Sequence, residues 1–281
     1  MKIFVAGAKG MLGRDVCALL ETQGHITESS DIDDLDLCDL SAVSARLAKI
    51  KPDVIINCAA YTNVDGCETN PNEAYKGNAV IPANLAIVAN KINAVLVHIS
   101  TDYVFDGKSQ VPYTECDTPN PTSVYGKSKR IGEMNVMTLT NRCFILRVQW
   151  LFGKHGNNFV KTMLSLAKSK PSLTVVNDQF GAPTYTRDLA EAIGAMIKTE
   201  AYGLYHVSNT SYCSWHRFAA DIMEIAGIDI PVHPCSSEEF PRPAKRPKFS
   251  VLDNTYYQAR GFVPLRHYKE ALRDYLKEEL Q

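Results

Sequence analysis

Lys2-Ile3-Phe4-Val5-Ala6-Gly7-Ala8-Lys9-Gly10-Met11-Leu12-Gly13 decides the fold. Ile3 to Ala6 is a short β-rich run. From Met11 to Gln23, Leu12, Val16, Leu19 and Leu20 recur at helical spacing. Between strand and helix stand Gly7, Gly10 and Gly13, spaced Gly-x-x-Gly-x-x-Gly. Glycines there let the backbone turn tightly and come close to a pyrophosphate, and the helix start offers unpaired N–H groups and a positive dipole end. Met1 to Gly7 carries one Lys and a few apolar residues, too short for a signal-peptide core.

The alternation continues. Ser41–Lys49 reads as a helix with Ser41 as N-cap, and Asp53–Asn57 as a buried strand. Pro82–Asn90 is an apolar helix and Ala94–Ser100 the next strand. Tyr125–Thr138 is helical and Phe144–Val148 a strand. Short apolar strands between helices predict an α/β fold, a doubly wound parallel sheet of the Rossmann type. Beyond about residue 150 the pattern loosens. Helices are expected at Asn158–Ser169, Thr186–Lys198, Trp215–Ala226 and Tyr268–Leu280. Pro231 to Pro247 holds five prolines and reads as loop. The expected division is a dinucleotide-binding domain over 1–149 and, over 150–281, a smaller, mainly substrate-binding lobe with some segments returning to the sheet.

Composition narrows the class. With 281 residues, 45% hydrophobic, and 30 Lys plus Arg against 31 Asp plus Glu, the chain is ordinary and globular. A formal net charge of −1 gives no basic footprint for nucleic acid or an anionic membrane. No apolar stretch reaches the ~18 residues of a membrane span. The eight Cys show no Cys-x-x-Cys pair, which fits reduced thiols in a cytoplasmic protein. No two His, or His and Cys, pair at ligand spacing, so no metal is assigned.

Two further stretches carry chemistry. In Tyr125-Gly126-Lys127-Ser128-Lys129 the phenol and the amine lie four residues apart, on one helix face. An ammonium beside a phenol stabilises the phenolate and brings it toward acid–base work near neutrality. In Ser100-Thr101-Asp102-Tyr103, Thr101 follows a strand, at the carboxyl edge where open α/β sheets bind ligands. Its hydroxyl suits a substrate carbonyl.

Taken in order, these motifs make the chain resemble the extended short-chain dehydrogenase/reductases. Within them it is similar to the dTDP-4-dehydrorhamnose reductases. The similarity rests on Asn57–Asp65, Ser100–Gly107, Val124–Lys129, Gly156–Met163, Asn177–Thr184, Arg246-Pro247 and Leu252-Asp253-Asn254, and it runs nearly the whole chain. It implies reduction of the 4-keto group of dTDP-4-dehydro-L-rhamnose by NADP(H), with NAD(H) also accepted. It implies Tyr125 as proton donor, Lys129 as its modulator and ribose ligand, and Thr101 as the group orienting the carbonyl. Gly7, Gly10, Met11, Leu12, Gly13, Asp36, Leu37, Ala59, Ala60, Tyr61, Thr62 and Asn78, with Tyr125 and Lys129, would line the cofactor. Val64, Asp102, Tyr103, Trp150 and Asn158 would meet the nucleotide sugar.

Asp31, Asp33, Asp34 and Asp39 compete with Asp36, and this acidic loop favours NAD, whereas Lys9 and Arg14 suit a 2′-phosphate. The resemblance leaves room for a homodimer. Some members hold Mg²⁺ between subunits through glutamates; Asp15 and Arg187 stand near two such positions, so none is assigned here. Two alternatives stay open. One is another nucleotide-sugar reductase or epimerase. The other is a non-catalytic regulatory subunit on this fold, like the β subunit of methionine adenosyltransferase. Tyr103 replaces the Glu that a dehydratase needs as base.

Overall fold

The computed structural model describes residues 1–279. In chain order the elements are β1 (Lys2–Ala6), α1 (Met11–Thr22), β2 (Ile26–Ser30), α2 (Leu40–Ile50), β3 (Val54–Asn57), α3 (Val64–Thr69), α4 (Pro71–Tyr75), a π-helical turn (Lys76–Val80), α5 (Ile81–Ile92), β4 (Val95–Thr101), a 3₁₀ turn (Asp102–Val104), α6 (Val124–Leu139) and β5 (Cys143–Val148). The second half contains β6 (Leu151–Phe152), α7 (Phe159–Ala167), β7 (Leu173–Val176), β8 (Phe180–Gly181), β9 (Thr184–Tyr185), α8 (Thr186–Met196), β10 (Gly203–His206), β11 (Cys213–Ser214), α9 (Trp215–Ala226), β12 (Val232–Cys235), α10 (Thr255–Ala259) and α11 (Tyr268–Glu279). Leu280, placed in the last helix by the sequence reading, lies outside the described residues.

Six strands form one sheet in the order β10-β5-β4-β3-β1-β2. Every pairing in it is parallel. The chain reverses direction of travel at β1, with β2 on one side and β3 on the other. The crevice at the carboxyl ends of β1 and β3 is therefore the switch point where such sheets bind ligands. The second half returns one strand: β10 pairs with β5 in parallel, Gly203 opposite Phe144. One face of the sheet packs Ile3, Val5, Val54, Val97 and Leu146 against α1 and α8. The other packs Phe4, Ile55, Leu96 and Ile145 against α2 and α5. A separate aromatic core, with Phe152, Tyr185, Phe218 and Tyr275, holds α7, α9 and α11 together.

Three local differences from the sequence reading have simple causes. The N-cap of α2 is Asp39, not Ser41. The Asp39 carboxylate accepts the N–H groups of Ser41 and Ala42 at 2.8 and 3.1 Å, and a carboxylate also complements the positive helix start. β2, Ile-Thr-Glu-Ser-Ser, buries only Ser30, so it lacks the apolar run that marks its neighbours. It is an edge strand. Within the proline-rich stretch, β12 pairs in parallel with β7; Pro234 is tolerated because only one side of that strand is bonded.

Candidate active site

The glycine turn is built for close approach. A Cβ on Gly7 would lie 2.6 Å from the Ala59 nitrogen, and one on Gly13 would lie 2.2 Å from the Gly7 carbonyl oxygen. Helix α1 starts at Gly10 with no side-chain cap and no acid in its first turn. Its first N–H groups are left for an anion, with the helix dipole behind them. Leu12 turns its side chain into the core, so its backbone alone faces the turn. These features fit a dinucleotide pyrophosphate.

The acidic loop is more specific than its sequence. Asp31, the first residue past β2, accepts the Lys9 N–H at 2.8 Å. Lys9 Nζ pairs with Asp33 at 2.5 Å. Asp36 instead accepts the Cys38 N–H of its own turn at 2.9 Å, and Leu37 is buried in the core. Asp31, not Asp36, is the acid joined to the glycine turn. It went unselected because β2 was not recognisable, so the end of that strand could not be located. Arg14 lies at the same turn and donates Nε to the Lys9 carbonyl at 3.0 Å.

Ala59, Ala60, Tyr61 and Thr62 follow β3 at the switch point. Asn78 holds this segment in place. Its Oδ1 accepts the Tyr61 N–H at 2.9 Å, and its Nδ2 donates to the Tyr61 carbonyl and to Ser128 Oγ, both at 3.0 Å. Fully buried and fully bonded, the Asn78 side chain positions the cofactor-side loop against α6. A π turn at this point is a common mark of a functional site.

Thr101, Tyr125 and Lys129 converge at the carboxyl edge of β4. Ser123 caps α6 by accepting the Gly126 N–H at 3.1 Å. Gly126 lets this first turn touch the 3₁₀ turn, for a Cβ there would lie 2.1 Å from the Tyr103 carbonyl oxygen. The rings of Tyr103 and Tyr125 meet edge to face at 5.5 Å. Burial pushes the Tyr125 phenol well above its ordinary range, and the Thr101 hydroxyl draws it partly back. Lys129 is 2% exposed and donates Nζ to the Ile99 carbonyl at 2.5 Å. Burial brings its pKa down to about 8, while Glu133 one turn along holds it up. Thus the group that acts on the phenol here is Thr101, and Lys129 reaches past it to the strand.

Behind these residues lies a buried polar layer. Glu133 takes both Arg147 Nε and Nη2, at 2.8 and 2.9 Å, together with Ser100 Oγ at 2.6 Å and Arg130 Nη1 at 2.8 Å. Arg147 also sits 5.0 Å over the Phe105 ring. Glu133 was absent from the sequence reading. Its signal was faint: an acid four residues past Lys129 on a helix face that must be buried.

The substrate-side residues divide. Val64 opens α3 after the Asn63 cap. Its neighbour Asp65 accepts Arg246 Nη1 and Nη2, both at 3.1 Å, and the Ala244 N–H at 3.2 Å. The basic loop is thereby strapped to α3 beside Tyr103. Trp150 has a left-handed backbone, φ 47°, unusual for a bulky residue and a mark of a constrained site. Its ring stacks on Trp215 at 3.5 Å. Asn158 caps α7, accepting the Lys161 N–H at 3.1 Å and donating to the Gly153 carbonyl at 2.8 Å. Both ends of its amide are engaged by its own loop and helix. Asp15 bonds the Thr186 hydroxyl, and among the described residues no group of three or more His, Cys, Asp or Glu gathers to hold a metal.

With this geometry in place, comparison with known proteins is decisive. The model of the RmlD substrate binding domain family matches residues 1–281. A crystal structure of a dTDP-4-dehydrorhamnose reductase from Clostridium acetobutylicum superposes with a TM-score of 0.98, at 46% identity over 100% of both chains. The chain belongs to the dTDP-4-dehydrorhamnose reductase family. Another family structure, from Bacillus anthracis and in complex with NADP, is 41% identical over 99% of each chain, with a TM-score of 0.96. A curated relative, the spore coat polysaccharide biosynthesis protein SpsK of Bacillus subtilis, is 42% identical over 99% of this chain and 97% of its own. Such full-length coverage sets the dTDP-4-dehydrorhamnose reductase family, and the oxidoreductase chemistry its members are named for, above the epimerase and regulatory-subunit alternatives.

Proposed function

We propose that this protein reduces the 4-keto group of dTDP-4-dehydro-L-rhamnose to a hydroxyl, giving dTDP-L-rhamnose, with NADPH preferred and NADH accepted. The observation that carries the reading is the convergence of Thr101, Tyr125 and Lys129 beside a glycine cradle, in a full-length member of the family. Residues 1–149 act mainly as the dinucleotide module, and residues 150–281 mainly as the nucleotide-sugar lobe. Gly7, Gly10, Met11 and Gly13 hold the pyrophosphate through backbone N–H groups. Asp31, Lys9 and Arg14 meet the adenosine ribose. When bound, reduced nicotinamide supplies the hydride.

The chain's own residues handle the proton. Tyr125 stays protonated before reaction because its phenolate is disfavoured by burial. It gives that proton to the oxygen at C4 as negative charge develops there. Lys129 holds the nicotinamide ribose, and the Thr101 hydroxyl stabilises the phenolate left behind. Trp150, on its Trp215 backing, packs against an apolar sugar face. The eight unpaired thiols suit a cytosolic enzyme. No helix among the described residues is long and apolar enough to cross a membrane.

The test is product analysis. Incubation of dTDP-4-dehydro-L-rhamnose with the protein and NADPH deuterated at the transferable position should place deuterium at C4 of the sugar. Deuterium at another carbon, or none, contradicts the assignment.

Two consequences concern binding. Anionic cofactor near Lys129 favours the ammonium, so binding raises its pKa above the free value of about 8. NADPH affinity is therefore full below that pH and falls as pH rises through it. Fluorescence titration at pH 7 and at about 9.5 should show this weakening, and Lys129→Met should flatten the dependence. A wild-type dissociation constant that is the same at both would remove the ribose role. The strap gives the second consequence. Arg246 is held by the Asp65 carboxylate in the basic loop beside Tyr103, so Arg246→Ala should raise KM for the nucleotide sugar by about tenfold or more. Cofactor affinity should not move; equal losses for both ligands would count against this placement.

A further inference from the structure

Tyr125 is the second residue of α6, so its phenol goes where the first turn of that helix goes. Ser123 closes the turn from within. Its Oγ accepts the Gly126 N–H at 3.1 Å, and its carbonyl accepts the Lys127 N–H at 3.0 Å. Bonds of that kind shape a helix start without attaching it to a neighbouring element. The attachment comes from Glu68. Its Oε1 accepts the Val124 N–H at 2.8 Å, across 56 residues of sequence. The half-buried Glu68 carboxylate also complements the positive end of α6.

Glu68 stands on α3, and α3 is held at two further places. Asp65, three residues earlier, lies on the same side of the helix. It takes the Arg246 guanidinium with both oxygens at 3.1 Å and the Ala244 N–H at 3.2 Å. Between the two acids, Cys67 is fully buried. Its Sγ reaches the Tyr61 carbonyl at 3.9 Å, in the segment that Asn78 clamps on the cofactor side. A helix of six residues with a core anchor near its middle moves as one piece. A shift of the basic loop at Asp65 therefore reaches Val124, the residue before Tyr125.

We propose that α3 couples the basic loop to the general acid, with Glu68 as the positioning residue that fixes the first turn of α6 and so the Tyr125 phenol. The inference rests on the keto-reduction reading. Glu68 is given no contact with substrate or cofactor and moves no proton; it acts through the Val124 N–H. Misplacing a reacting group by about 1 Å costs up to about 10²-fold in rate. One hydrogen bond at this place therefore matters more to turnover than to the fold.

Two measurements test it. In steady-state kinetics, Glu68→Ala should lower kcat by about tenfold, with KM for the nucleotide sugar moving less than about threefold and NADPH affinity unchanged. Glu68→Gln keeps an acceptor oxygen for the Val124 N–H and should recover kcat to within about threefold of the wild type. In an Arg246→Ala background, Glu68→Ala should cost about threefold or less, because a tie to a loosened α3 fixes less. Independently of turnover, amide hydrogen exchange by NMR should show the Val124 N–H protected in the wild type and in Glu68→Gln. It should exchange about tenfold faster or more in Glu68→Ala, and faster also in Arg246→Ala, while amides in the middle of α6 keep their rates.

The proposal is overturned if Glu68→Ala keeps the wild-type kcat, or if Glu68→Gln is as slow as Glu68→Ala. It is overturned too if Arg246→Ala leaves both Val124 exchange and the cost of Glu68→Ala unchanged. A Glu68→Ala protein that lost NADPH affinity and mid-helix protection together would show a role in the fold at large, and that also overturns it. If Glu68→Ala does not fold, Val124 exchange in Glu68→Gln and Arg246→Ala decides: protection kept in the first and lost in the second supports the coupling, and any other pair of results overturns it. Absence of turnover in the wild type would sink the keto-reduction reading instead, and Val124 exchange would still decide whether α3 joins the loop to α6.

Discussion

Tyr125→Phe is expected to lower kcat by about 10²–10⁴-fold while leaving NADPH affinity unchanged. The substitution removes one oxygen from a half-buried ring that meets Tyr103 edge to face. The ring contacts survive, so the fold and the cofactor cradle are untouched. What is lost is the phenol placed against Thr101, and with it the proton that must reach the C4 oxygen. Hydride delivery without that proton leaves an uncompensated alkoxide in a site of low polarity. Steady-state kinetics with fluorescence titration separate the two parameters. A loss under about tenfold would show that another acid serves, with Thr101 the first to examine. A parallel loss of NADPH binding would mean that the phenol is chiefly a cofactor ligand.

The second large effect is on stability. Glu133→Ala should destabilise the protein by about 3–5 kcal/mol, because it leaves a buried guanidinium without its carboxylate. Arg147 is 1% exposed and has both faces of its fork engaged by Glu133. Its other neighbour, His206 at 3.3 Å, is neutral at physiological pH, for burial and the guanidinium drive its pKa down to about 3. The next carboxylate near the guanidinium, Glu115, already accepts the His206 N–H at 2.7 Å. Lys129 also loses the carboxylate that holds its pKa up, so NADPH affinity should weaken at lower pH than in the wild type. Denaturant unfolding checks the first claim. A change below about 1 kcal/mol would mean that the pair is dispensable packing. Glu133→Gln, which keeps two acceptor-donor positions, should recover part of the stability but not the Lys129 shift.

Much of this was legible in the chain because the central sheet is written in short, mainly apolar runs. Val54–Asn57 is wholly buried and Cys143–Val148 nearly so, and runs of that kind announce themselves. The glycine spacing and the Tyr125–Lys129 interval are local, so sequence carries them directly. What escaped is non-local or short. β2 is a polar edge strand, and missing it hid Asp31, the acid at its end that bonds the glycine turn. The two-residue ladders β6–β9 and β8–β11 are too brief for any periodicity. The strap from Asp65 to Arg246 spans 181 residues, and no pattern along a chain encodes such a pairing. Asn158 and Asn78 show the remaining limit. An asparagine before a helix or at a cleft looks alike in sequence whether its amide faces a ligand or secures a loop.

The central claim is tested most directly by mixing the purified protein with enzymatically prepared dTDP-4-dehydro-L-rhamnose and following loss of reduced-nicotinamide absorbance, with NADPH and NADH in separate reactions. The account predicts rapid, substrate-dependent oxidation of both, faster with NADPH. No oxidation of either cofactor, while thermal shift still reports dinucleotide binding, would contradict it.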